Sequence, residues 1–258
     1  MREPFTVGNF VHVIKRGGRG LSIVRDDGDR WRFLLMLFHF NDVFCMPENW
    51  YRELMDHSMA NTFLRLENWP ERRPIVKVLS FCLLDNHFHL LLKEVTDGGI
   101  AKFMQKLGSG MSNHFNAKYK ERGSLFQGSY KSKTVEDDAY LRRVTSYIQV
   151  KNSFDLYSGG YEKACSEFDK AYEWAGSYPY CSLGDYTGVK KSPIIDREII
   201  DEIFDGPNDF KSFSRDFIEG RNWNYEDDFE LDNLKIRRTL SPTDFPLNKN
   251  YEMARKNL

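Results

Sequence analysis

Four stretches of the chain have the residue pattern of β-strands. Residues 9–15 are β-branched and aromatic, and they run into a glycine-rich basic turn. Residues 75–84 and 87–95 are apolar runs that are separated only by residues 85–86, an Asp-Asn pair that suits a tight hairpin turn. A further strand is predicted over residues 125–135.

Three segments carry apolar residues at the spacing of an amphipathic helix. The first follows a cluster of aspartates at residues 26–29, the second follows Asp97 as its expected N-cap, and the third follows the acidic residues 136–138. A shorter helix is predicted over residues 194–204. The apolar stripes of the first three are Trp31, Leu34, Leu35 and Phe38; Ile100, Phe103, Met104, Leu107 and Met111; and Tyr140, Leu141, Val144, Tyr147 and Ile148.

The order of these elements predicts an α+β domain, in which an antiparallel sheet carries helices on one face. The chain changes character after about residue 156, where aromatic and glycine-rich connections begin. We therefore divide it into a domain at residues 1–155 and a C-terminal extension at residues 156–258, mostly helical and partly irregular. The stretch beyond residue 222 is acidic and rich in turn residues, and we expect it to be poorly ordered.

Composition limits the class of protein. A 258-residue chain that is 41% hydrophobic can bury a sizeable core. Its 37 Lys and Arg residues balance 38 Asp and Glu residues, so any site for a polyanion must come from local clustering. The four cysteines form no CxxC pair, and no apolar run reaches the roughly 20 residues of a membrane span. We expect a soluble cytoplasmic protein with no membrane partner.

Two histidines at alternate positions are the first candidates for chemistry. His87 and His89 project from the same face of the predicted strand, where two imidazoles can bind one cation. On its own, the pair is equally consistent with ordinary buried or surface histidines. Tyr147 shares a helix face with Tyr140 and with position 151, but 13 tyrosines are present and the residues alone do not single it out.

A basic stretch with interleaved aromatic residues is the second candidate. Between residues 102 and 133 there are seven lysines and arginines and one acidic residue, Glu121. This mixture suits a single-stranded nucleic acid whose bases stack on aromatic rings. A solvated helix face with aromatic residues in the core explains the same pattern equally well.

Five motifs lie in order along residues 15–188. They are KRGGR at residues 15–19, LLDNHFHLLLKE at 83–94, GSLFQGSYKSKTVEDDAYL at 123–141, SYIQVKN at 146–152 and SYPYCSLGDYTG at 177–188. Together they resemble motifs of the HUH-superfamily single-tyrosine transposases, and most of all of the REP-associated tyrosine transposases. LLDNHFHLLLKE resembles the His-hydrophobic-His motif, which in that family typically reads MPNHxHLLL. Five ordered matches are far more specific than the histidine pair alone.

The resemblance implies a ferredoxin-like catalytic domain with the HUH nuclease fold, which binds single-stranded or hairpin DNA. His87 and His89 are expected to hold Mg²⁺ or Mn²⁺, and Tyr147 to cleave the strand, leaving a 5′-phosphotyrosine link and a free 3′-hydroxyl. Both a monomer and a homodimer stay open. The residues expected to contact DNA are Arg16, Arg19, Lys118, Lys120, Arg122, Gln127, Lys131 and Lys133.

The chain departs from the family pattern beside the tyrosine. Lys151 stands where the family has an Asn or Gln as third metal ligand, and a lysine coordinates only when deprotonated. Asn152 is expected to take this role if the helix end unwinds or shifts by one residue. Asp85, in the turn before the histidines, offers a nearby carboxylate.

Three functions are compatible with the sequence. The first is a transposase-type enzyme that nicks and joins DNA. The second is a domesticated, non-catalytic DNA-binding protein of the same fold, in which Lys151 has removed metal binding. The third is a zinc hydrolase that uses the histidine pair with a distant carboxylate, although no third ligand at a characteristic spacing is visible.

Overall fold

The computed structural model describes residues 5–60 and 62–220 of the chain. The predicted disorder beyond residue 222 lies outside these residues. The strands are β1 (Phe10–Arg16), β2 (Val76–Leu83), β3 (His87–Glu94) and β4 (Lys131–Val135). The helices are α1 (Asp27–His39), α2 (Trp50–Asp56), α3 (Gly99–Tyr119), α4 (Asp138–Ser146), α5 (Asn152–Phe154), α6 (Gly160–Ser166), α7 (Phe168–Ser177), α8 (Leu183–Tyr186), α9 (Glu198–Ile203) and α10 (Pro207–Ile218), with a 3₁₀ turn at Gly18–Gly20 and a π-helix at Tyr147–Lys151.

The four strands form one antiparallel sheet in the order β2-β3-β1-β4. Helices α1 and α3 pack together on one face, where Phe33 of α1 contacts Phe88 of β3 with ring centres 5.1 Å apart. Strand order and helix placement confirm the predicted α+β, ferredoxin-like arrangement. The π-helix after α4 covers the other face, because Tyr147 packs there against histidines of β1 and β3.

Local capping explains where the helices begin. Asp26 and Asp137 accept hydrogen bonds from the backbone N–H groups of Asp29 and Tyr140, as expected for N-caps. The prediction that Asp97 caps α3 is wrong. Gly98 occupies the cap position in the left-handed region, and the buried Glu94 carboxylate accepts the hydrogen bond from the Ile100 N–H at 2.7 Å. The strand that precedes α3 therefore supplies its capping group.

Two predicted elements are shorter than expected, because their ends pair with other segments. Of residues 125–135, only Lys131–Val135 forms a strand, since the earlier residues bond to the turn after β1: the Gly18 N–H donates to the Leu125 carbonyl. The helix predicted over residues 194–204 begins only at Glu198. Before it, the Asp196 N–H donates to the Val78 carbonyl on the outer edge of β2.

The helical extension is packed onto the sheet. It pairs with the outer edge of β2, where the Leu83 N–H donates to the Tyr180 carbonyl at 2.9 Å. It also holds α4, since the hydroxyls of Ser146 and Ser214 lie 3.0 Å apart. The helix that leads to Tyr147 is therefore fixed from the side of α10. Within the described ranges, no helix has both the length and the apolarity needed to cross a bilayer.

Candidate metal and nucleophile site

The two histidines of β3 lie side by side on the sheet face that the π-helix covers. The ring centres of His87 and His89 are 5.0 Å apart, and both side chains are buried. Phe88 between them points to the opposite face, toward α1. The strand alternation that the sequence predicts therefore places both imidazoles in one environment.

Tyr147 meets this pair from the π-helix. Its ring stands edge-on to His89, with centres 5.6 Å apart, and only 3% of the residue is exposed. Tyr140, the other tyrosine on this side of the helical segment, lies instead beside Lys133, whose ammonium is 4.9 Å from the centre of its ring. The structure thus brings Tyr147, and not Tyr140, to His89.

The π-helix shifts the backbone register after Tyr147 by one residue. The Asn152 N–H donates to the Tyr147 carbonyl, five residues back instead of four. The Asn152 side chain is 1% exposed, and its Nδ2 atom has no hydrogen-bond partner among the described residues. The Lys151 side chain is partly exposed and forms a 3.0 Å ion pair with Asp155. The one-residue shift considered from the sequence is therefore present.

Each histidine has its Nδ1 atom engaged by a neighbour. His87 Nδ1 lies 2.6 Å from Asn86 Oδ1, and since the amide oxygen can only accept, the imidazole donates. His89 Nδ1 lies 2.9 Å from Nε2 of His12, a buried residue of β1. His12 could not be predicted from the sequence, because its proximity to His89 depends on the pairing of β1 with β3. Strand alternation indicates only that His12 shares a face of β1 with Ile14 and Arg16.

The imidazoles of this cluster are neutral near pH 7. Burial, with the nearby charges of Arg16 and Lys151, lowers the pKa of His87 to about 3. Burial and Lys133 lower the pKa of His12 to about 3. The pKa of His89 lies well below 6.5, first because of burial. Neutral imidazoles keep the lone pair that a metal ion requires, so no proton has to be displaced at neutral pH.

Because these buried histidines have lowered pKa values, we expect the free energy of unfolding to decrease in acid. A buried His39 beneath α2 behaves in the same way, since burial and then Arg65 lower its pKa to about 3. Between pH 6.5 and 3 the unfolded chain binds protons that the folded chain does not, so the free energy of unfolding falls as the pH falls. Each such histidine lowers the free energy of unfolding at pH 5 by up to about 2 kcal/mol relative to neutral pH.

We expect the free energy of unfolding, measured with urea at both pH values, to be several kcal/mol lower at pH 5 than at pH 7. His39→Gln, which removes one of these groups away from the cluster, should make the pH dependence shallower. Equal stability at pH 5 and pH 7 would contradict the assignment of neutral, buried imidazoles.

The residues predicted to contact DNA fall into two groups. Arg16 lies opposite His87 in the strand register, and Lys133 lies opposite His12, so both are on the face of the histidines. Lys131 is two residues before Lys133 in β4 and therefore shares its face. Arg19 is exposed in the turn after β1. The backbone of Gln127 lies beside β1, since its N–H donates to the Arg16 carbonyl.

Three other predicted DNA contacts lie at the end of α3. Lys118 is 2.7 Å from the carboxylates of both Asp26 and Asp29, so its charge is neutralised locally. Lys120 is the C-cap of α3 and has a left-handed backbone conformation. Arg122 is exposed two residues after Lys120. The structure does not bring this group to the histidines.

Two alternative ligand sets receive no support from the geometry. The Asp85 carboxylate is 2.6 Å from Arg30 Nη2 in α1 and is therefore engaged outside the histidine cluster. Within the described part of the chain, no group of three or more His, Cys, Asp or Glu residues could hold a metal ion. The zinc site with a distant carboxylate, which the third function requires, is therefore not formed among these residues.

Part of the chain matches a known protein family, and the fold has a similar solved structure. Residues 51–151 match the family described as Transposase IS200 like, a segment that contains both histidines of β3 and Tyr147. A solved structure of the REP-associated tyrosine transposase bound to a REP hairpin is similar, with a TM-score of 0.42 and 9% sequence identity, over 75% of this chain and 87% of that chain. No curated protein matches. The family match over residues 51–151 supports the resemblance that the sequence motifs indicate.

Proposed function

From the match of residues 51–151 to the IS200-like transposase family, we propose that this chain is a metal-dependent enzyme that nicks and joins DNA through Tyr147. Its substrate is a single strand with hairpin structure. The observation that carries the proposal is the position of Tyr147, edge-on to His89 and one π-turn before Asn152. The proposed nucleophile and one candidate metal ligand, His89, thus share one buried cluster.

The side chains present fit a divalent cation. His87 and His89 have their Nδ1 atoms engaged by neighbours, which leaves Nε2 as the nitrogen for a ligand bond. Asn152 has a buried amide atom with no partner among residues 5–60 and 62–220, and rotating the amide by half a turn exchanges its oxygen and nitrogen. Two imidazoles with one amide oxygen suit Mn²⁺ better than Mg²⁺, which prefers oxygen ligands. A divalent ion held there would supply charge that polarises the scissile phosphate.

In the proposed reaction, the Tyr147 oxygen bonds to phosphorus, the bond to the 3′ oxygen breaks, the phenol loses its proton and the 3′ oxygen gains one. The count of phosphodiester bonds is unchanged, so the reverse attack joins strands. A phenol with an ordinary pKa near 10 is a weak nucleophile at pH 7, and positioning must contribute much of the rate. The packing of Tyr147 against His89 provides such positioning.

The charged residues around the cluster suit the approach of a phosphate. Arg16 and Lys151 are close enough to depress the pKa of His87, and the Lys151 ammonium is 5.3 Å from the centre of the Tyr147 ring. Lys131 and Lys133 continue the positive charge along β4. Such contacts position a DNA backbone without reading its sequence. We propose this face as the track of the cleaved strand.

The two parts of the chain have different proposed roles. Residues 1–155 carry the catalytic domain, and residues 156–258 form the extension. In the described part of that extension, Asp209 binds Arg142 of α4 at 3.0 Å, close to the Ser146–Ser214 contact. We propose that the extension supports the helix that presents the nucleophile.

The direct test is metal-dependent adduct formation. A single-stranded hairpin DNA labelled at its 3′ end is incubated with the full chain and Mn²⁺, and the products are separated under denaturing conditions. We expect labelled protein with Mn²⁺ and none with EDTA. DNA binding without an adduct under either condition would instead support the non-catalytic DNA-binding protein, and the absence of both would reject both functions.

A further inference from the structure

We propose that His12 is a positioning residue that holds His89 in the tautomer able to bind a cation and fixes its ring against Tyr147. The proposal rests on the proposed function, since it concerns the same site. His12 belongs to β1, outside the histidine motif of β3 and outside residues 51–151. It acts through His89 and not on the reacting atoms.

The contact between His12 and His89 is built into the centre of the sheet. β1 and β3 are neighbouring inner strands, and their register places Ile14 opposite His89 and His12 opposite Leu91. The two histidines are therefore diagonal neighbours on one face, with His12 Nε2 2.9 Å from His89 Nδ1. Both are buried, at 1% and 0% exposure, so water does not compete for this hydrogen bond.

A single proton between the two nitrogens decides whether His89 can bind a metal ion. If His89 Nδ1 carries the proton and donates to His12, then His89 Nε2 keeps its lone pair. If His12 donates instead, the neutral His89 carries its proton on Nε2 and cannot act as a ligand there. The first arrangement requires His12 to present an accepting nitrogen in the plane of the His89 ring.

His12 also contacts the nucleophile. Its ring lies nearly in the plane of the His89 ring, with centres 5.2 Å apart and an angle of 19°, and it meets Tyr147 edge-on at 6.0 Å and 70°. One side chain therefore touches both the candidate ligand and the tyrosine. Outer-shell groups of this kind orient metal-binding histidines and commonly change metal affinity by about 10–100-fold.

The neighbouring histidine provides a matched comparison. Asn86 makes the corresponding hydrogen bond to His87 Nδ1 at 2.6 Å, and it comes from the hairpin turn instead of from β1. The two ligand histidines thus have separate supports. Changing His12 should disturb His89 and leave His87 unaffected, and changing Asn86 should do the reverse.

The test begins with the full chain labelled with ¹⁵N-histidine, free of metal and DNA, because long-range ¹H–¹⁵N NMR spectra report the tautomer of each ring. We expect both His87 and His89 to carry the proton on Nδ1. His12→Phe keeps a ring but removes the acceptor, and should shift His89 toward the Nε2–H tautomer. Asn86→Ala should shift His87 only.

The second readout is Mn²⁺ affinity, followed by electron paramagnetic resonance without DNA. We expect His12→Phe to raise the dissociation constant by about 10–100-fold. His12→Gln, whose amide oxygen can accept the same hydrogen bond, should recover most of the affinity. His57→Gln, on the exposed end of α2, is the control and should match the wild type.

Each outcome separates the inference from the function on which it rests. If the wild type binds no Mn²⁺, the proposed metal site fails, while the tautomer measurement still tests His12. If the wild type binds Mn²⁺ and a folded His12→Phe leaves both the affinity and the His89 tautomer unchanged, the inference is overturned. If His12→Phe does not fold, His12→Gln decides: a Nδ1–H tautomer of His89 supports the inference, and a Nε2–H tautomer overturns it.

Discussion

Tyr147→Phe reduces covalent adduct formation to background, while Tyr140→Phe retains it. Phenylalanine keeps the ring that packs against His89 at 5.6 Å and removes only the oxygen that attacks phosphorus. Tyr140 lies beside Lys133, and its substitution leaves the nucleophile in place. The adduct is measured on denaturing gels with DNA labelled at the 3′ end, because the downstream fragment stays attached through its 5′-phosphate.

DNA binding is the control for this pair of variants. Both should bind the hairpin DNA as the wild type does, so that a lost adduct reports chemistry and not affinity. An adduct that persists in Tyr147→Phe and disappears in Tyr140→Phe would show that the nucleophile had been assigned to the wrong tyrosine.

Asn152→Ala should raise the Mn²⁺ requirement, and Lys151→Ala should not. Removing the Asn152 amide takes away a proposed ligand, and we expect the Mn²⁺ concentration for half-maximal adduct formation to rise at least about tenfold. Removing the Lys151 ammonium takes away a positive charge near the histidines. A positive charge there would repel a divalent cation. Lys151→Ala should therefore bind Mn²⁺ as tightly as the wild type or more tightly.

The comparison distinguishes two assignments of the third ligand. Asp155→Ala serves as its control, because it removes the ion-pair partner of Lys151 while both residues 151 and 152 remain. If Lys151→Ala raises the Mn²⁺ requirement and Asn152→Ala does not, the shift of register by the π-helix has no role in metal binding.

Local patterns predicted the parts of the fold that local physics determines. Alternation placed His87 and His89 on one face, and the spacing of apolar residues located α1, α3 and α4. Asp26 and Asp137 belong to acidic clusters that were expected at helix N-termini, and each caps its helix, because an N-cap involves only residues within one turn. The family motifs singled out Tyr147, which helical spacing alone did not.

Contacts between distant segments could not be read from the sequence. His12 reaches His89 only through the register of two strands that are far apart in the chain. The cap from Glu94 and the ion pairs of Lys118 with Asp26 and Asp29 likewise depend on tertiary packing. The π-helix has no signal in the residues themselves, although the unusual Lys151 directed attention to the next position.

Anomalous diffraction from crystals of the Tyr147→Phe variant, grown with Mn²⁺ and hairpin DNA, locates the metal ion relative to the histidines. We expect one manganese peak between Nε2 of His87, Nε2 of His89 and the amide of Asn152, with a DNA phosphate beside the ring at position 147. A peak at any other set of side chains, or a phosphate bound away from these histidines, would contradict the proposed site.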